Sequence, residues 1–237
     1  MRTKLFLLPL AVIALAVVGC GGAGNGLVGI HNPRIRAVND FSDVSAVSAT
    51  VESTNLLTSQ AFGSTSAYAI ITNGNRDINF TNVSGASSIP LITQNSLLET
   101  EKYYTAIGTG SGVGGRHIIL LEDGQVILNN IAKIRVINAD EDDASVDVYF
   151  TSTATADLTG QTPQVTNLGF ATAVADYTNF TPGNYKVWIT ANGSKTAITT
   201  KTVTLSANTI GTLVFAKTSG GTTIQTLQDR PLPSGTP

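Results

Sequence analysis

The chain of 237 residues is poor in the residues that usually carry chemistry: it has one cysteine, Cys20, two histidines and one tryptophan, and 13% of its residues are charged. A single thiol cannot form an internal disulfide or a multi-thiolate metal site. The sequence has no G-x-S-x-G or H-E-x-x-H motif, so no serine elbow or zinc-protease helix is indicated. We interpret His31 as part of an N-terminal tether and His117 as a strand-end residue. The sequence predicts no catalytic residue, no metal site and no cofactor, hence a protein that is not an enzyme.

A basic surface is also missing. Without residues 1–19, the chain carries twelve Lys and Arg residues against sixteen Asp and Glu residues. Nucleic-acid binding calls for clustered positive charge. The composition therefore excludes nucleic acid as an expected partner.

The N-terminus has the pattern of an export signal. Arg2 and Lys4 precede an apolar run over residues 5–18, which ends at Gly19-Cys20. This run is shorter than the roughly 20 apolar residues of a membrane-spanning helix and fits a cleaved signal. The stretch resembles the lipobox of bacterial lipoproteins, which implies a signal peptide over 1–19 and lipid attachment, with palmitate, at Cys20. The alternative is an ordinary secreted protein with an incidental cysteine.

The lipobox resemblance implies a compartment. With Cys20 lipidated, the protein is expected to be exported and held in the cell envelope. The membrane is then its partner through the lipid anchor. Gly21, rather than aspartate, follows the cysteine, and by resemblance to sorted lipoproteins this favours the outer membrane. The glycine-rich residues 20–32 are predicted to be a flexible tether, and residues 231–237 a proline-rich tail.

The rest of the chain repeats itself at an offset of about 100 residues. Arg34–Asn39 recurs as Lys133–Asn138, and an acidic turn follows each copy. Each copy then closes on a short strand that ends in an aspartate, Asp123 or Asp229. We predict repeat 1 over 33–128 and repeat 2 over 131–230.

Alternation of apolar and polar residues between Gly, Asn and Asp turns indicates antiparallel strands. Several such strands in each copy predict an all-β protein with two tandem immunoglobulin-like antiparallel β-sandwich domains. Thr93–Lys102 is the one short helix candidate. The glycine-rich stretch 108–115 is expected to be a flexible hairpin loop rather than a phosphate-binding loop.

Particular segments resemble a known family. Ile134–Ala139, Ser145–Tyr149 and Pro182–Tyr185 in the second copy, with Tyr104–Gly108 in the first, are similar to motifs of DUF 4397, a bacterial domain of unknown function. The resemblance implies tandem copies of this domain and an exported or cell-surface protein. The family offers no catalytic residues to carry over.

Two features remain as candidate sites. The acidic cluster Asp140–Asp143, with Asp147 nearby, is interpreted as a solvated turn, and calcium binding by this loop is left open. Asp147 is expected to face solvent. Trp188 is predicted to lie on the outer face of its strand, where it either stacks on a sugar or is covered by the neighbouring domain. We therefore expect a non-catalytic binding or structural module of the cell envelope; the alternative is a carbohydrate-binding or accessory domain of an envelope enzyme system.

Overall fold

The computed structural model describes residues 32–84, 87–174 and 176–230, which form strands and turns without a helix. Strands rich in Val, Ile and Thr alternate with turns rich in Gly, Asn and Asp, as β-propensity favours. The strands of the first half are β1 Arg34–Phe41, β2 Val47–Val51, β3 Thr54–Gln60, β4 Ala69–Ile70, β5 Gly74–Ser84, β6 Ser87–Leu98, β7 Tyr103–Ser111 and β8 Gly115–Glu122.

The second half repeats this series after a linker. Its strands are β9 Ala132–Ala139, β10 Ser145–Ser152, β11 Val165–Gly169, β12 Thr172–Ala173, β13 Thr178–Phe180, β14 Gly183–Ala191, β15 Ala197–Leu205, β16 Thr209–Thr218 and β17 Gly221–Gln228.

Each half forms two sheets that pack face to face. The strand orders are β4-β1-β7-β8 and β3-β2-β5-β6 in the first half, and β12-β9-β16-β17 and β11-β10-β14-β15 in the second, with β13 also paired to β9. The prediction of an all-β chain with two β-sandwiches is confirmed. The immunoglobulin-like connectivity stays a prediction.

One strand pair in each sandwich is parallel. β1 runs parallel to β7, with Arg36 beside Thr105, and β9 runs parallel to β16, with Arg135 beside Thr212. The other pairs are antiparallel. The parallel pairs arise because the chain crosses to the facing sheet after the first strand and returns beside it later. Because the paired strands are far apart in the sequence, the local alternation of apolar and polar residues does not reveal this pairing.

Each sandwich has its own apolar core. Alternate residues of β1, such as Ile35 and Ala37, pack against Val47, Ala49 and the facing strands of the second sheet. In the second sandwich, the equivalent residues of β9 pack against β10 and β14. Burying one face of each sheet supplies the main apolar stabilisation of each half.

The two sandwiches also pack on each other. The sheets that contain β1 and β9, here called the inner sheets, bury their second faces in a shared apolar layer: Val38, Ile107, Ile119, Leu121, Ile137, Ala139, Val214, Ala216 and Leu227. β7 is consequently buried along its whole length. The layers run outer sheet, inner sheet, inner sheet, outer sheet.

Two local expectations were wrong in part. Thr93–Lys102 is not a helix, because β6 continues to Leu98 and pairs with β5 from Gly74 onward; this ladder overrides a weak local helical pattern. Within the glycine-rich stretch, Gly108 lies inside β7, and the hairpin turn itself comprises residues 112–114. No helix in the described ranges is long and apolar enough to cross a membrane.

Candidate functional site at the domain interface

An arginine of the first sandwich reaches into the second. Arg36 lies on β1 with its side chain on the face opposite Ile35 and Ala37. Its Nε donates to Thr105 Oγ1 at 2.7 Å, within its own sheet. Its Nη1 donates to the carbonyl of Gln228 at 2.7 Å and its Nη2 to Asp229 Oδ1 at 2.5 Å, both in the second sandwich. Arg36 thus joins the two inner sheets.

Arg135 of the second sandwich makes the equivalent set of bonds to the first. Arg135 Nε donates to Thr212 Oγ1 at 3.1 Å. Its Nη1 donates to the carbonyl of Glu122 at 2.9 Å and its Nη2 to Asp123 Oδ1 at 2.6 Å. Arg135 and Arg36 hold equivalent positions in the sequence repeat, so the interface has an approximate two-fold relationship between the sandwiches.

Each closing aspartate also accepts bonds from hydroxyls of its own sandwich on its second oxygen, Oδ2, and in Asp229 this oxygen also lies 3.5 Å from Arg135 Nη2. The donors are Tyr68 (2.8 Å) and Thr105 for Asp123, and Tyr177 (2.7 Å) and Thr212 (2.5 Å) for Asp229. The guanidinium of Arg36 lies 4.9 Å from the centre of the Tyr68 ring, and that of Arg135 lies 4.6 Å from Tyr177. We call these eight residues the interface cluster: Arg36, Tyr68, Thr105, Asp123, Arg135, Tyr177, Thr212 and Asp229.

The charged groups of the interface cluster are buried and balanced. The two arginines and two aspartates are each at most 5% exposed. Burial raises the pKa of Asp123, the nearby charge of Asp229 raises it further, and Arg135 opposes both effects. Burial likewise raises the pKa of the Tyr68 and Tyr177 hydroxyls, which keeps them protonated as donors. Because these charged and hydroxyl groups bind one another, the cluster is suited to holding the two inner sheets together rather than to binding a substrate.

A second polar contact crosses the interface from the opposite end of β1. Asp40 Oδ1 accepts a hydrogen bond from Gln225 Nε2 at 2.5 Å. Its Oδ2 is buried without a hydrogen-bond partner. Burial raises the pKa of Asp40 from 3.8 to about 7, and the bond from Gln225 only partly offsets this effect. Asp40 is therefore a titratable group at the interface near neutral pH.

The acidic turn Asp140–Asp143 contacts its own sandwich and the first one. Glu141 accepts from Ser42 at 3.3 Å and from Ser111 at 2.8 Å, while Lys217 pairs with Asp142 at 2.7 Å. No group of three or more His, Cys, Asp or Glu side chains in the described part of the chain is arranged to hold a metal ion. The interpretation as a solvated turn needs correction, because Asp140 is fully buried and Glu141 binds Ser42 and Ser111 of the first sandwich.

A shallow groove of about 420 Å³ lies beside this junction. It is lined by the β1–β2 turn, the segment after β3 and the β16–β17 turn, including Asp43, Phe62 and Thr218. Asp43 is engaged by the backbone N–H of Gly112 and by Arg116.

Trp188 lies on the outer face of its strand, as predicted, but its ring is covered. It is 7% exposed and packs with Tyr149 and Leu158. Its Nε1 donates to Thr151 at 2.8 Å, and Lys186 Nζ lies 3.8 Å from the ring centre. Its cover comes from its own sandwich and not from the neighbouring domain. A sugar would find no open indole face.

Asp147 and His117, the other candidate residues that the structure describes, both contact neighbouring segments. Asp147 does not face solvent: its carboxylate accepts the backbone N–H groups of Asn167 and Gly193 at 2.9 and 2.8 Å. Loops close over this outer position, which strand alternation alone could not indicate. His117 packs edge-on against Phe170. Cys20 and His31 lie outside the described residues.

The repeats and family motifs of the sequence already contained most of the interface cluster, but no role was assigned to these residues. Arg36 and Arg135 belong to the repeated first strand, and Asp123 and Asp229 close each copy. Tyr68, Tyr177, Thr105 and Thr212 were not recognised as their partners. The available signal was a charged residue recurring at one position inside an otherwise apolar strand in both copies, since a buried charge requires a partner.

Comparison with known families agrees with this duplicated architecture. The domain of unknown function DUF4397 matches residues 33–149 and 132–236. No curated protein matches the chain. The two matched regions together contain both sandwiches and the complete interface cluster, which confirms the resemblance noted in the sequence. The chain belongs to the DUF4397 family and carries two tandem copies of its domain.

Proposed function

We propose that this protein is a cell-envelope lipoprotein that acts as a non-catalytic binding or structural module. Its lipidated Cys20 holds it to the membrane, with the outer membrane favoured, and its two sandwiches form one body that presents loops to a partner. The observation that carries the structural part is the reciprocal exchange of Arg36 and Arg135 between the sandwiches.

The reciprocal exchange supports a rigid body for a physical reason. Separating the sandwiches would leave two arginines and two aspartates without their inter-domain partners, and it would expose the shared apolar layer. Exposing apolar surface to water costs about 25 cal/mol per Å², so loss of the shared layer disfavours separation, while the reciprocal ion pairs fix which groups meet. The module then moves as a unit at the end of its lipid anchor.

The same contacts support a non-catalytic role. General acid–base and nucleophilic catalysis need a group that can reach a substrate. In the interface cluster, the carboxylates, guanidinium groups and phenols bind one another in a buried layer. These groups stabilise the domain pair.

Metabolic labelling with palmitate tests the anchor. The wild-type chain is expected to incorporate label and to fractionate with the outer membrane, and Cys20→Ala is expected to do neither. The matched control, Cys20→Ala with Val113→Cys, places a thiol at a fully exposed site and should remain unlabelled. Equal labelling of the wild type and Cys20→Ala would disprove lipidation at Cys20.

A partner is sought by crosslinking and purifying the lipidated protein from its own envelope. A specific partner that survives stringent washing would establish the binding role. Turnover of a substrate by the purified chain would contradict the non-catalytic proposal.

A further inference from the structure

Exposed apolar side chains concentrate at one end of the molecule. Eight large hydrophobic residues of the described chain are markedly exposed, and five of them share this end: Ile70, Leu97, Val126, Ile127 and Leu128. We call these five residues the apolar rim. Single exposed hydrophobics are common on protein surfaces, whereas a group at one end marks a contact surface.

Strand pairing places the rim residues together. Ile70 pairs with Arg34 at the start of β1, and Arg34 also pairs with Tyr103 at the start of β7. Leu97 precedes Leu98 and Glu99, whose backbone N–H binds the Tyr104 hydroxyl. These contacts gather the first sandwich's share of the rim around the beginning of β7.

The linker between the sandwiches lies at the same end. The backbone N–H of Asp123 binds the Tyr103 carbonyl at 2.8 Å, so the chain leaves β8 beside the start of β7. Residues 126–128 follow, with exposed fractions of 60%, 40% and 39%. Three consecutive apolar residues are therefore turned to solvent at this end.

The tether joins the body at this end too. Pro33 precedes β1, and its carbonyl accepts the backbone N–H of Ile71. Pro33 is the thirteenth residue after Cys20, and a chain of that length spans at most about 47 Å. The point of attachment therefore stays within that distance of the lipid.

Both ends carry charges of both signs. Arg34 and Arg230 lie near Tyr103 at the tether end, where Lys102 pairs with Glu99 and Glu122. At the other end Asp43 pairs with Arg116 and Asp142 with Lys217. An orientation of the body on the membrane therefore follows from the apolar rim and the position of the tether, and not from charge.

We propose that the apolar rim docks on the bilayer surface to which Cys20 is anchored. This inference rests on the proposed lipid anchor and adds a fixed orientation, with β1 rising from the membrane. Apolar side chains inserted at the lipid interface bind in proportion to the apolar area that they bury. The β7–β8 turn at Val113 is then the membrane-distal tip.

The test supplies the anchor chemically, so that it does not depend on lipidation in the cell. A chain that begins at Cys20 is coupled through its single thiol to a maleimide lipid in vesicles of phosphatidylethanolamine and phosphatidylglycerol. Ile127→Trp probes the rim, and Val113→Trp is the matched control at the opposite end. Quenching of tryptophan by lipids with a spin label in the acyl chain reports contact, with buried Trp188 as a common background.

We expect several-fold stronger quenching for Ile127→Trp than for Val113→Trp. Adding Val126→Asp and Leu128→Asp to the Ile127→Trp chain should remove the difference, and urea unfolding checks that these exposed substitutions leave the fold intact. Equal quenching at both ends overturns the docking proposal. Dimerisation of the soluble chain that the Asp substitutions abolish, without lipid quenching, would also overturn it and assign the rim to contact between copies. Loss of palmitate labelling in cells would contradict only the anchor.

Discussion

Arg36 and Arg135 make equivalent bonds in opposite directions across the domain interface: each binds the threonine of its own sandwich and the closing aspartate of the other. The internal repeat therefore also determines how its two copies assemble. One strand position, occupied by arginine twice, supplies matching bonds from both sandwiches to their interface.

Truncating one of these arginines should destabilise the whole chain. Arg36→Ala leaves Asp229 buried without its shorter arginine contact, which should lower the free energy of unfolding by about 3–5 kcal/mol. Urea unfolding measures this change. Lys102→Ala, which removes surface pairs with Glu99 and Glu122, is the control and should cost at most about 1 kcal/mol. Equal effects for the two variants would contradict a buried role for Arg36.

The stability of the chain should contain a component that falls as pH rises from about 4 to 7. The unfolded chain loses the Asp40 proton near the ordinary value of 3.8, whereas the folded chain keeps it until about 7. Protonation thus favours the folded state in this window, and the contribution is lost above the folded pKa. The shift corresponds to an upper bound of ~4 kcal/mol.

Asp40→Asn isolates this component, because it is neutral and retains an oxygen to accept from Gln225. Urea unfolding at a series of pH values should show a flatter profile than the wild type, with a relative gain at pH 8. Val113→Ala, at a fully exposed site that carries no charge, is the control and should keep the wild-type slope. An unchanged slope in Asp40→Asn would refute the assignment.

Gly108 lies against two aromatic rings that leave no room for a side chain at this position. A Cβ at this position would lie 2.4 Å from Phe41 and 2.9 Å from Phe80, whose rings pack edge to face. Gly108→Ala should therefore destabilise the first sandwich by about 1–3 kcal/mol through overpacking. Gly220→Ala, where a Cβ meets nothing within 4 Å, should change stability by no more than about 0.5 kcal/mol. Thermal unfolding of both variants makes the comparison.

Trp188 should be shielded from small quenchers, since Leu158 and its own strand neighbours cover it. Acrylamide should quench its fluorescence weakly in the wild type and more strongly in Leu158→Ala. Leu97→Ala, at an exposed site in the other sandwich, is the control and should leave quenching unchanged. Strong quenching of the wild type would show that the indole is accessible and would restore sugar stacking as a candidate role for Trp188.

Chelation should leave the melting temperature unchanged. Glu141 and Asp142 of the acidic turn are engaged by Ser42, Ser111 and Lys217. EDTA and added Ca²⁺ are compared by differential scanning calorimetry of the full chain. A drop in melting temperature with EDTA, restored by Ca²⁺, would establish a calcium site.

The sequence by itself determined the local and repeated features of this protein. Alternation places Val146 and Val148 on one face and Asp147 on the other, and the repeat makes Arg36 equivalent to Arg135. These features depend on neighbouring residues along one strand or on comparison of two segments, both of which are readable without coordinates. The family resemblance and the all-β class followed from them.

Only the tertiary structure decided which surfaces meet. The parallel pairing of β1 with β7, the burial of both faces of the inner sheets and the exchange of Arg36 and Arg135 depend on contacts between residues far apart in sequence. Asp147 and Trp188 are polar-face residues by alternation, yet loops and neighbouring side chains cover both. Alternation identifies the face of a strand, whereas the packing of other segments against that face determines whether it is exposed.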